Sequence, residues 1–582
     1  MSTTGNYTPD HSALLVRPWT VVQLSQRDVS SQIPLNHVAH PGIDVTSACF
    51  GNNIYEEQAM VKCISNLLAL DNRRFHVDLY WSADYRRWTF CPVTINSPVP
   101  VSPARIETRA PSRPVSVLAN DIGSQLCSQS LDVSIFLSLL RNYFSDTNDT
   151  LNAHMLYILL NVHFAASSNS SDELSSAPAR DKLPSGRELL GSLFHEALGP
   201  YMYTPKLLQD ERANLNQSWY SVPKFAHPIA EYFTTHKDSK DVHSTPDGWP
   251  CEAYVERRHL RRFLVGWASA DAQMAEYDFN GDSNLIFSMG SLARSRGVTI
   301  SNGSDASGDS IIKSGCLFDR KSTDPPDLSA SWPESTVTEQ FDSYPVHSLC
   351  SELMACGISP IVNSTLSNVT ADENFKPYEI ASQSSSWAWA QGQPYPDDSP
   401  TDLFLSNLRC ARADASFKGR WFPAKCSGGL YGACRVGNEP FQWTLTREQV
   451  SYGSVAAHCP ENSTFSVPRT GLENTYLYQY LISLPKNMID PSSEDYDSRS
   501  VWIDLNSRDV PTCWVSGGPN AQCPYEVDEA AVQRRTVLVP TVAAIIVLVI
   551  AALTIFVKCN SNRRNSRWKR IIEGWEYEGV PS

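Results

Sequence analysis

The sequence predicts an α/β domain with a parallel sheet, then a disulfide-rich, mostly β module, then one transmembrane helix. Short apolar runs alternate with helical patterns along most of the chain, cysteines become dense after residue 390, and a long uncharged run lies near the C-terminus. The predicted boundaries are 1–22 for a ragged N-terminus, 23–390 for the α/β domain, 391–525 for the cysteine-rich module, 536–557 for the membrane helix and 558–582 for a basic tail.

Alternating strand and helix patterns predict the α/β domain. Arg74–Trp81, Met155–Val162 and Phe263–Gly266 are short, strongly apolar runs of the kind that form buried strands. Between two of them, Leu131–Phe144 places its apolar residues at helical spacing. Buried strands separated by helices favour a parallel sheet with helices covering its faces.

Cysteine spacing predicts the module that follows. Fourteen of the 15 cysteines precede the uncharged run, an even number as a disulfide framework in an oxidising compartment requires, and one follows it. The alternative is a set of free buried thiols in a cytosolic protein. No CxxC pair occurs, so we expect no zinc or other metal site. The disulfide candidates of the module are Cys410, Cys426, Cys434, Cys459, Cys513 and Cys523.

The run Thr536–Val557 predicts the membrane helix. It contains 22 residues without a charge, enough to cross a bilayer core of about 30 Å. Six basic residues follow it, from Lys558 to Arg570, whereas two precede it. By the positive-inside rule the tail is cytosolic, and the bulk of the chain is luminal or extracellular. We therefore expect a single-pass type I membrane protein, with a buried core helix as the alternative.

Potential glycosylation sites agree with this topology. Each is an Asn-x-Ser/Thr sequon without proline, and none lies in the tail. Chance alone would supply several in a chain so rich in serine and threonine, so their placement matters more than their number. The candidate acceptors are Asn6, Asn148, Asn169, Asn216, Asn302, Asn363, Asn368 and Asn462.

The N-terminus does not resemble a signal peptide. Its most apolar stretch, Ala13–Val16, is cut by Arg17 and Pro18. Either the true start lies upstream, or the chain is tail-anchored with its bulk in the cytosol. The basic tail, the cysteines and the sequons favour an upstream start.

Charge restricts the partners that we expect. The formal net charge is −14 and the sequence pI is about 5.4, which argues against direct binding of nucleic acid. The basic tail is suited to anionic lipid at the cytoplasmic face. No phosphate-binding glycine motif introduces a helix, so we expect no cofactor. We expect membrane lipid as a partner, through the helix and the tail, and the sequence identifies no protein partner.

Several motifs together resemble a known fungal family. Leu24–Ile43 reads LSQRDVSSQIPLNHVAHPGI and Val501–Glu526 reads VWIDLNSRDVPTCWVSGGPNAQCPYE, with TPDGWP, CGISPIVN and SWAWAQGQP between them and EGVPS at the end. These stretches resemble the family named maintenance of telomere capping protein 6 along nearly the whole chain. The resemblance implies a single-pass membrane protein with a role in telomere capping. Because a luminal domain cannot touch chromosome ends, we expect that role to be indirect.

The first domain also resembles the barrel of phosphatidylinositol-specific phospholipases C, which implies a TIM-barrel-like fold. The stretch RRFHVDLYW places His76 and Asp78 on one face of a strand, a pair suited to acid/base work. The early turn, where those enzymes carry a catalytic histidine, is here interpreted as Ser25–Asp28. We therefore expect a scaffold without its chemistry, with no catalytic residue beyond the His76–Asp78 candidates, and keep a luminal phosphodiesterase as an alternative.

A third alternative is a carbohydrate-binding surface protein. Gly419–Trp421, followed by Cys426 and Cys434, resembles pieces of C-type lectin domains in a different order. Gln393–Tyr395 lacks the acidic or amide residue that would bind calcium and sugar there. A structural disulfide module is therefore the simpler expectation for this region.

Overall fold

The structure is a computed structural model of the chain. Contacts divide it into two units, Met1–Cys523 and Pro524–Ser582, which are described separately. The residues described are 5–94, 115–116, 126–128, 130–167, 178–300, 312–318, 330–339, 344–394, 407–525 and 546–558.

A parallel sheet curls into a partial barrel in the first unit. Its strands lie side by side in chain order, and the last pairs with the first, so the sheet bends back on itself. The described residues form no ladder between the fourth and fifth strands, so the barrel is not closed there. One parallel bridge joins Gly266 of the fourth strand to Phe287. The strands are β1 (Gly42–Asp44), β2 (Arg74–Ser82), β3 (Leu156–Phe164), β4 (Phe263–Ala270), β5 (Arg294–Ser295), β6 (Pro333–Val337) and β7 (Ser359–Val362). The predicted parallel α/β sheet is confirmed.

Alternation along β2 separates the barrel interior from its helical coat. Phe75 and Val77 are buried among the helices, whereas His76 and Asp78 are half-buried and point to the other face. The pairing register repeats this alternation on β3, where His76 lies beside Leu159 and Asp78 beside Asn161. Polar side chains of neighbouring strands therefore meet inside the barrel.

Helices cover the outer face because their apolar stripes match it. In α4 (Val133–Asp146) the predicted spacing is confirmed, and Asp132 caps the helix by accepting from the backbone N–H of Ser134 at 2.8 Å. The helices of the barrel region are α1 (Trp19–Ser30), α2 (Val45–Phe50), α3 (Glu57–Ala69), α4 (Val133–Asp146), α5 (Leu190–Leu198), α6 (Pro205–Ala213), α7 (Phe279–Asp282), α8 (Val346–Ala355) and α9 (Lys376–Ser384).

Short strands and a π-helix complete this region. Most are two-residue pairs that fasten loops to each other rather than to the barrel. They are Ile54–Tyr55, Arg87–Thr89, Val93–Thr94, Val115–Ser116, Leu126–Cys127, Ala166–Ser167, His236–Lys237, His243–Ser244, Thr299–Ile300 and Ile312–Ser314, and the π-helix is Ala253–Arg258.

The interpretation of Ser25–Asp28 as an early barrel turn was wrong. These residues lie within α1, and the first strand of the barrel begins later, at Gly42. The Arg27 guanidinium donates to the carbonyls of Thr150 and Ala153, which precede β3, at 2.8 and 2.9 Å. Residues Ser25–Asp28 thus lie at the end of the barrel where the strands begin. The apolar residues of α1 repeat at helical spacing, and that period identifies the helix.

Gln26 fastens α1 to the chain that leads into the second sheet. Its side-chain carbonyl accepts from the backbone N–H groups of Trp387 and Ala388 at 2.7 and 3.0 Å. Trp389 donates to Ser25 at 2.8 Å and packs edge-on against Trp514. A buried amide with several partners is costly to unpair, so this joint is well defined.

The cysteine-rich module is a mixed sheet. Most of its ladders are antiparallel, but the third strand and the last strand pair in parallel with each other. One long helix and two short helices accompany the sheet, so the module is less purely β than predicted. The strands are β8 (Leu408–Asp414), β9 (Arg420–Lys425), β10 (Tyr431–Val436), β11 (Trp443–Leu445), β12 (Ser463–Phe465) and β13 (Ser500–Asn506); the helices are α10 (Val455–His458), α11 (Gly471–Ser483) and α12 (Tyr496–Arg499).

Six disulfide bonds cross-link the first unit. All six module candidates are bonded, each to its neighbour in sequence, and three further bonds lie in the barrel region. Cys251 and Cys350 are buried free thiols, so the even number of upstream cysteines does not correspond to complete pairing. The bonds are Cys49–Cys63, Cys91–Cys127, Cys316–Cys356, Cys410–Cys426, Cys434–Cys459 and Cys513–Cys523.

In the second unit, residues 546–558 are helical, and their apolar side chains are exposed. The predicted membrane segment 536–557 lies partly outside the described residues, and the predicted tail 558–582 lies outside them except for Lys558. Within the described chain, no helix has both the length and the apolar character needed to cross a membrane.

Candidate functional site

Polar side chains converge at the mouth of the barrel where the strands end. This is the end at which barrels of parallel strands carry their functional residues. Asp44 ends β1, His76 and Asp78 lie on β2, and Asn161 and His163 lie near the end of β3. We take this mouth as the candidate functional site.

Asp78 is the centre of the cluster. It accepts from the hydroxyl of Thr46 on α2 at 2.6 Å and from the amide of Asn161 on β3 at 2.8 Å. Asn161 in turn accepts from Ser269 on β4 at 2.6 Å. Burial by itself would raise the pKa of Asp78, but hydrogen bonds from His163, Thr46 and Asn161 together hold it below its ordinary value. Asp78 is therefore an ionised, oriented acceptor at neutral pH.

His163 bridges two carboxylates at the rim. Its Nδ1 lies 2.9 Å from Asp271, and its Nε2 lies 3.4 Å from Asp78. The ring stacks on Tyr80, with centroids 4.7 Å apart. Burial alone would lower the pKa of His163, but the two carboxylates raise it. In its protonated form, the imidazole of His163 is a proton donor placed beside two acceptors.

His76 is held by a different carboxylate, deeper in the barrel. Its Nε2 lies 3.3 Å from Glu334 on β6, which also accepts from the buried guanidinium of Arg74 at 2.8 Å. Burial by itself favours neutral Glu334, but His76 and Arg74 lower its pKa to about 2. Because Arg74 is already paired with Glu334 and packs against the rings of Tyr157 and Trp332, its charge is used within the barrel floor.

Asp44 combines a structural and an electrostatic role. It caps α2 by accepting from the backbone N–H of Ser47 at 2.8 Å, which fixes its orientation at the end of β1. Burial raises the pKa of Asp44, and the nearby charge of Asp78 adds to the rise. Two neighbouring carboxyls whose pKa values are pushed in opposite directions are the pattern expected of an acid and a base.

The mouth can therefore exchange protons with a ligand and accept hydrogen bonds from it. Three carboxylates, those of Asp44, Asp78 and Asp271, lie at the mouth and that of Glu334 lies deeper, against two histidines and Arg74, which is already paired with Glu334. In the part of the chain that the structure describes, no group of three or more histidine, cysteine, aspartate or glutamate side chains could hold a metal ion.

The predicted site residues lie at the mouth, but not as a pair. His76 and Asp78 share a face as expected, but they have different partners. His76 contacts Glu334, whereas Asp78 contacts His163. His163, the second histidine of the mouth, was not predicted from the sequence. Its signal was available, because Asn161 and His163 interrupt a buried apolar strand at a spacing of two, as His76 and Asp78 do.

The candidate glycosylation sites that can be located are exposed. Asn363 follows β7 at the mouth and accepts from the Ser47 hydroxyl at 2.6 Å. Asn169 and Asn302 lie outside the described residues. The exposed acceptors are Asn6, Asn148, Asn216, Asn363, Asn368 and Asn462.

Comparison with known proteins finds one family, both by a family model and by similar proteins. Residues 17–382 match the family model described as the MTC6 partial TIM-barrel domain. Proteins named maintenance of telomere capping protein 6 are similar over most of their length. Those of Yarrowia lipolytica (24% identical, 96% of this chain and 90% of the relative) and Lodderomyces elongisporus (25%, 96% and 89%) are two examples. The protein of that name from Lachancea thermotolerans is 25% identical over 96% of this chain and 93% of its own length. No solved structure matches.

Proposed function

Since the chain belongs to the family of maintenance of telomere capping protein 6, we propose that it is a single-pass type I membrane glycoprotein with an indirect role in telomere capping. The observation that carries the proposal is the extent of the similarity, because relatives of that name match 96% of the chain. Six disulfides and the exposed sequons support an oxidising, sugar-adding compartment for the large unit. The uncharged run 536–557 and its basic flank support the membrane anchor.

An indirect role follows from location and charge. A domain in the secretory lumen is separated from chromosome ends by at least one membrane. A net charge of −14 also repels the phosphate backbone of DNA. We therefore propose that the chain acts on capping through the state of the secretory pathway or the cell surface.

Two measurements in one strain background test this route. Deleting the gene should increase single-stranded telomeric DNA in cells whose capping complex is already weakened. Chromatin immunoprecipitation of the tagged full chain should recover no more telomeric DNA than an untagged strain does. Specific recovery of telomeric DNA would contradict the indirect route, and an unchanged overhang after deletion would contradict the capping role.

We propose, as a second candidate function, recognition of a neutral, hydroxyl-rich ligand such as an oligosaccharide at the barrel mouth. The excess of carboxylates over cations there favours this class. Oxygens of Asp78 and Asn161 can accept hydrogen bonds from hydroxyl groups, and Tyr80 offers a ring beside them. A phosphodiester anion would meet unfavourable charge at the same place, since Arg74 is already paired with Glu334.

A binding assay with the purified full chain tests the second candidate. After enzymatic removal of its own N-linked sugar, the chain should bind members of an oligosaccharide array, and Asp78→Asn should abolish that binding. Asp210→Asn is a matched control, because Asp210 is exposed and, among the ion pairs between described residues, pairs only with Lys206 in its own helix. Thr46→Val removes one donor to Asp78 without changing a charge and should weaken binding. Binding that survives Asp78→Asn and Thr46→Val would contradict the assignment.

A further inference from the structure

A cavity lies outside the barrel, next to the gap between β4 and β5. Its volume is about 970 Å³, and it is bounded by β4, by α6 and by the segment that carries Phe287. Its walls are largely aromatic or aliphatic, with Leu208, Trp249, Trp267 and Phe287 buried. Preformed cavities of several hundred Å³ with apolar walls and few polar groups are typical sites for small organic ligands.

Arg212 supplies a positive charge at this cavity. Its Nε and Nη2 donate to the backbone carbonyls of Gly248 and Asp247 at 2.6 and 3.3 Å, and its guanidinium lies 5.2 Å from the ring of Trp249. The carboxylate of Asp247 is engaged elsewhere, by Thr234 and Thr245. None of the ion pairs between described residues includes Arg212. A half-buried guanidinium bonded to neutral carbonyls retains charge that an anion would complement.

The opening of the cavity is apolar as well. Met289 lines it with 48% of its surface exposed, and Phe279 of α7 lies beside it. Flexible methionine side chains adapt to acyl chains of different shape. The exposed apolar rim, the buried aromatic walls and the cation therefore form one continuous amphipathic site.

We propose that this cavity binds a single-chain amphipathic anion, with the acyl chain between Trp267, Phe279 and Met289 and the anionic head at Arg212. The inference does not depend on the function of the barrel mouth or on the role in capping. A long-chain carboxylate and a lysophosphate share the required chemistry, and the experiment distinguishes them.

Photocrosslinking tests the site in the full chain held in nanodiscs of neutral phospholipid. The probes are diazirine-bearing palmitate, the matching lysophosphatidate and the matching fatty alcohol, and mass spectrometry locates the modified peptides. We expect both anionic probes to modify the peptides that contain Leu208 and Phe279–Met289. We expect the alcohol to modify them about tenfold less, because it lacks the charge-assisted hydrogen bond to Arg212. Any labelling of residues 546–558 provides an internal reference for probe insertion.

Variants make the test specific. Met289→Trp, at an exposed position, should block the opening and reduce cavity labelling without changing the reference signal. Arg212→Gln should lower labelling by the anions about tenfold and leave the alcohol unchanged, whereas Arg212→Lys should retain most of it. Lys206→Gln on the same helix is the control, since Lys206 is exposed and paired with Asp210.

The outcomes separate the parts of the proposal. Preference for palmitate over lysophosphatidate, or the reverse, identifies the head group, and either supports the site. Equal labelling by the alcohol and the anions would overturn the role of Arg212. Labelling confined to residues 546–558, or cavity labelling unaffected by both Met289→Trp and Arg212→Gln, would overturn the site itself. Thermal unfolding of each variant ensures that a loss of labelling is not a loss of fold.

Discussion

Replacing Glu473 by glutamine should destabilise the first unit by about 3–5 kcal/mol, because it removes the counter-ion of the buried guanidinium of Arg435 and of the half-buried guanidinium of Arg469. Glu473 is fully buried in α11 and lies 2.9 Å from Arg435 and 3.0 Å from Arg469. It also accepts from the hydroxyl of Tyr232, in the barrel region, at 2.7 Å. Glutamine has the same shape, but its NH2 group is a hydrogen-bond donor and would face the guanidinium and hydroxyl donors that now bind the carboxylate.

The pH dependence of this loss has a definite sign. Burial by itself would raise the pKa of Glu473, but Arg435 and Arg469 hold it below the ordinary value of 4.5. A carboxyl with a lowered folded-state pKa stabilises fully above its unfolded-state pKa and loses that contribution as pH falls toward the folded-state pKa. The difference in stability between wild type and Glu473→Gln should be constant from pH 7 to about pH 5 and should shrink below about pH 4.5.

Urea unfolding of the purified full chain, followed by tryptophan fluorescence, measures the effect. Glu448→Gln is the matched control, since Glu448 is 68% exposed and pairs with His458 at 3.3 Å. That change should cost at most about 1 kcal/mol. If Glu473→Gln unfolds at the same urea concentration as Glu448→Gln, or if its deficit does not change with pH, the argument from buried charge is refuted.

Three further predictions concern the module and the mouth. Replacing Cys513 or Cys523 by serine should cost about 2–5 kcal/mol, which the same urea assay measures, and labelling of both thiols in the unreduced wild type would contradict the bond. The full chain should show no cleavage of phosphatidylinositol, because the acidic mouth disfavours the phosphodiester. Release of inositol phosphate and diacylglycerol by wild type that His76→Ala and Asp78→Asn both abolish would contradict this. The protonated His163 should lose its charge as pH rises through its raised pKa, which NMR titration of a ring-labelled sample would detect as a midpoint above that of an exposed histidine.

Local patterns predicted the elements that depend on neighbouring residues. The alternation in Arg74–Trp81 identified β2, and the spacing in Leu131–Phe144 identified α4, because burial on one face imposes its period on the sequence. The six module cysteines were also identified, since the composition of a disulfide-rich region is visible without its fold. Which cysteine joins which became clear only from the structure.

Long-range contacts could not be predicted in the same way. Asp78 and His163 are 85 residues apart in sequence, and their meeting depends on the pairing of β2 with β3. The early turn was misplaced because resemblance to another barrel supplied the expected position, whereas the helical period of α1 argues against it. The cavity at Arg212 combines α6 with a loop that follows β4, so no single stretch of sequence indicates it.

The topology of the chain in the membrane is the prediction on which the proposed function most directly depends. Sealed microsomes from cells that express the full-length gene with a C-terminal epitope provide the test. We expect external protease to remove the epitope on the tail after Val557 while the large unit stays protected, and we expect glycosidase to increase the mobility of that protected fragment. Asn148→Gln and Asn216→Gln, at two exposed sequons, should each reproduce part of the mobility shift. A large unit that protease digests in sealed microsomes, with a mobility that glycosidase leaves unchanged, would contradict the account.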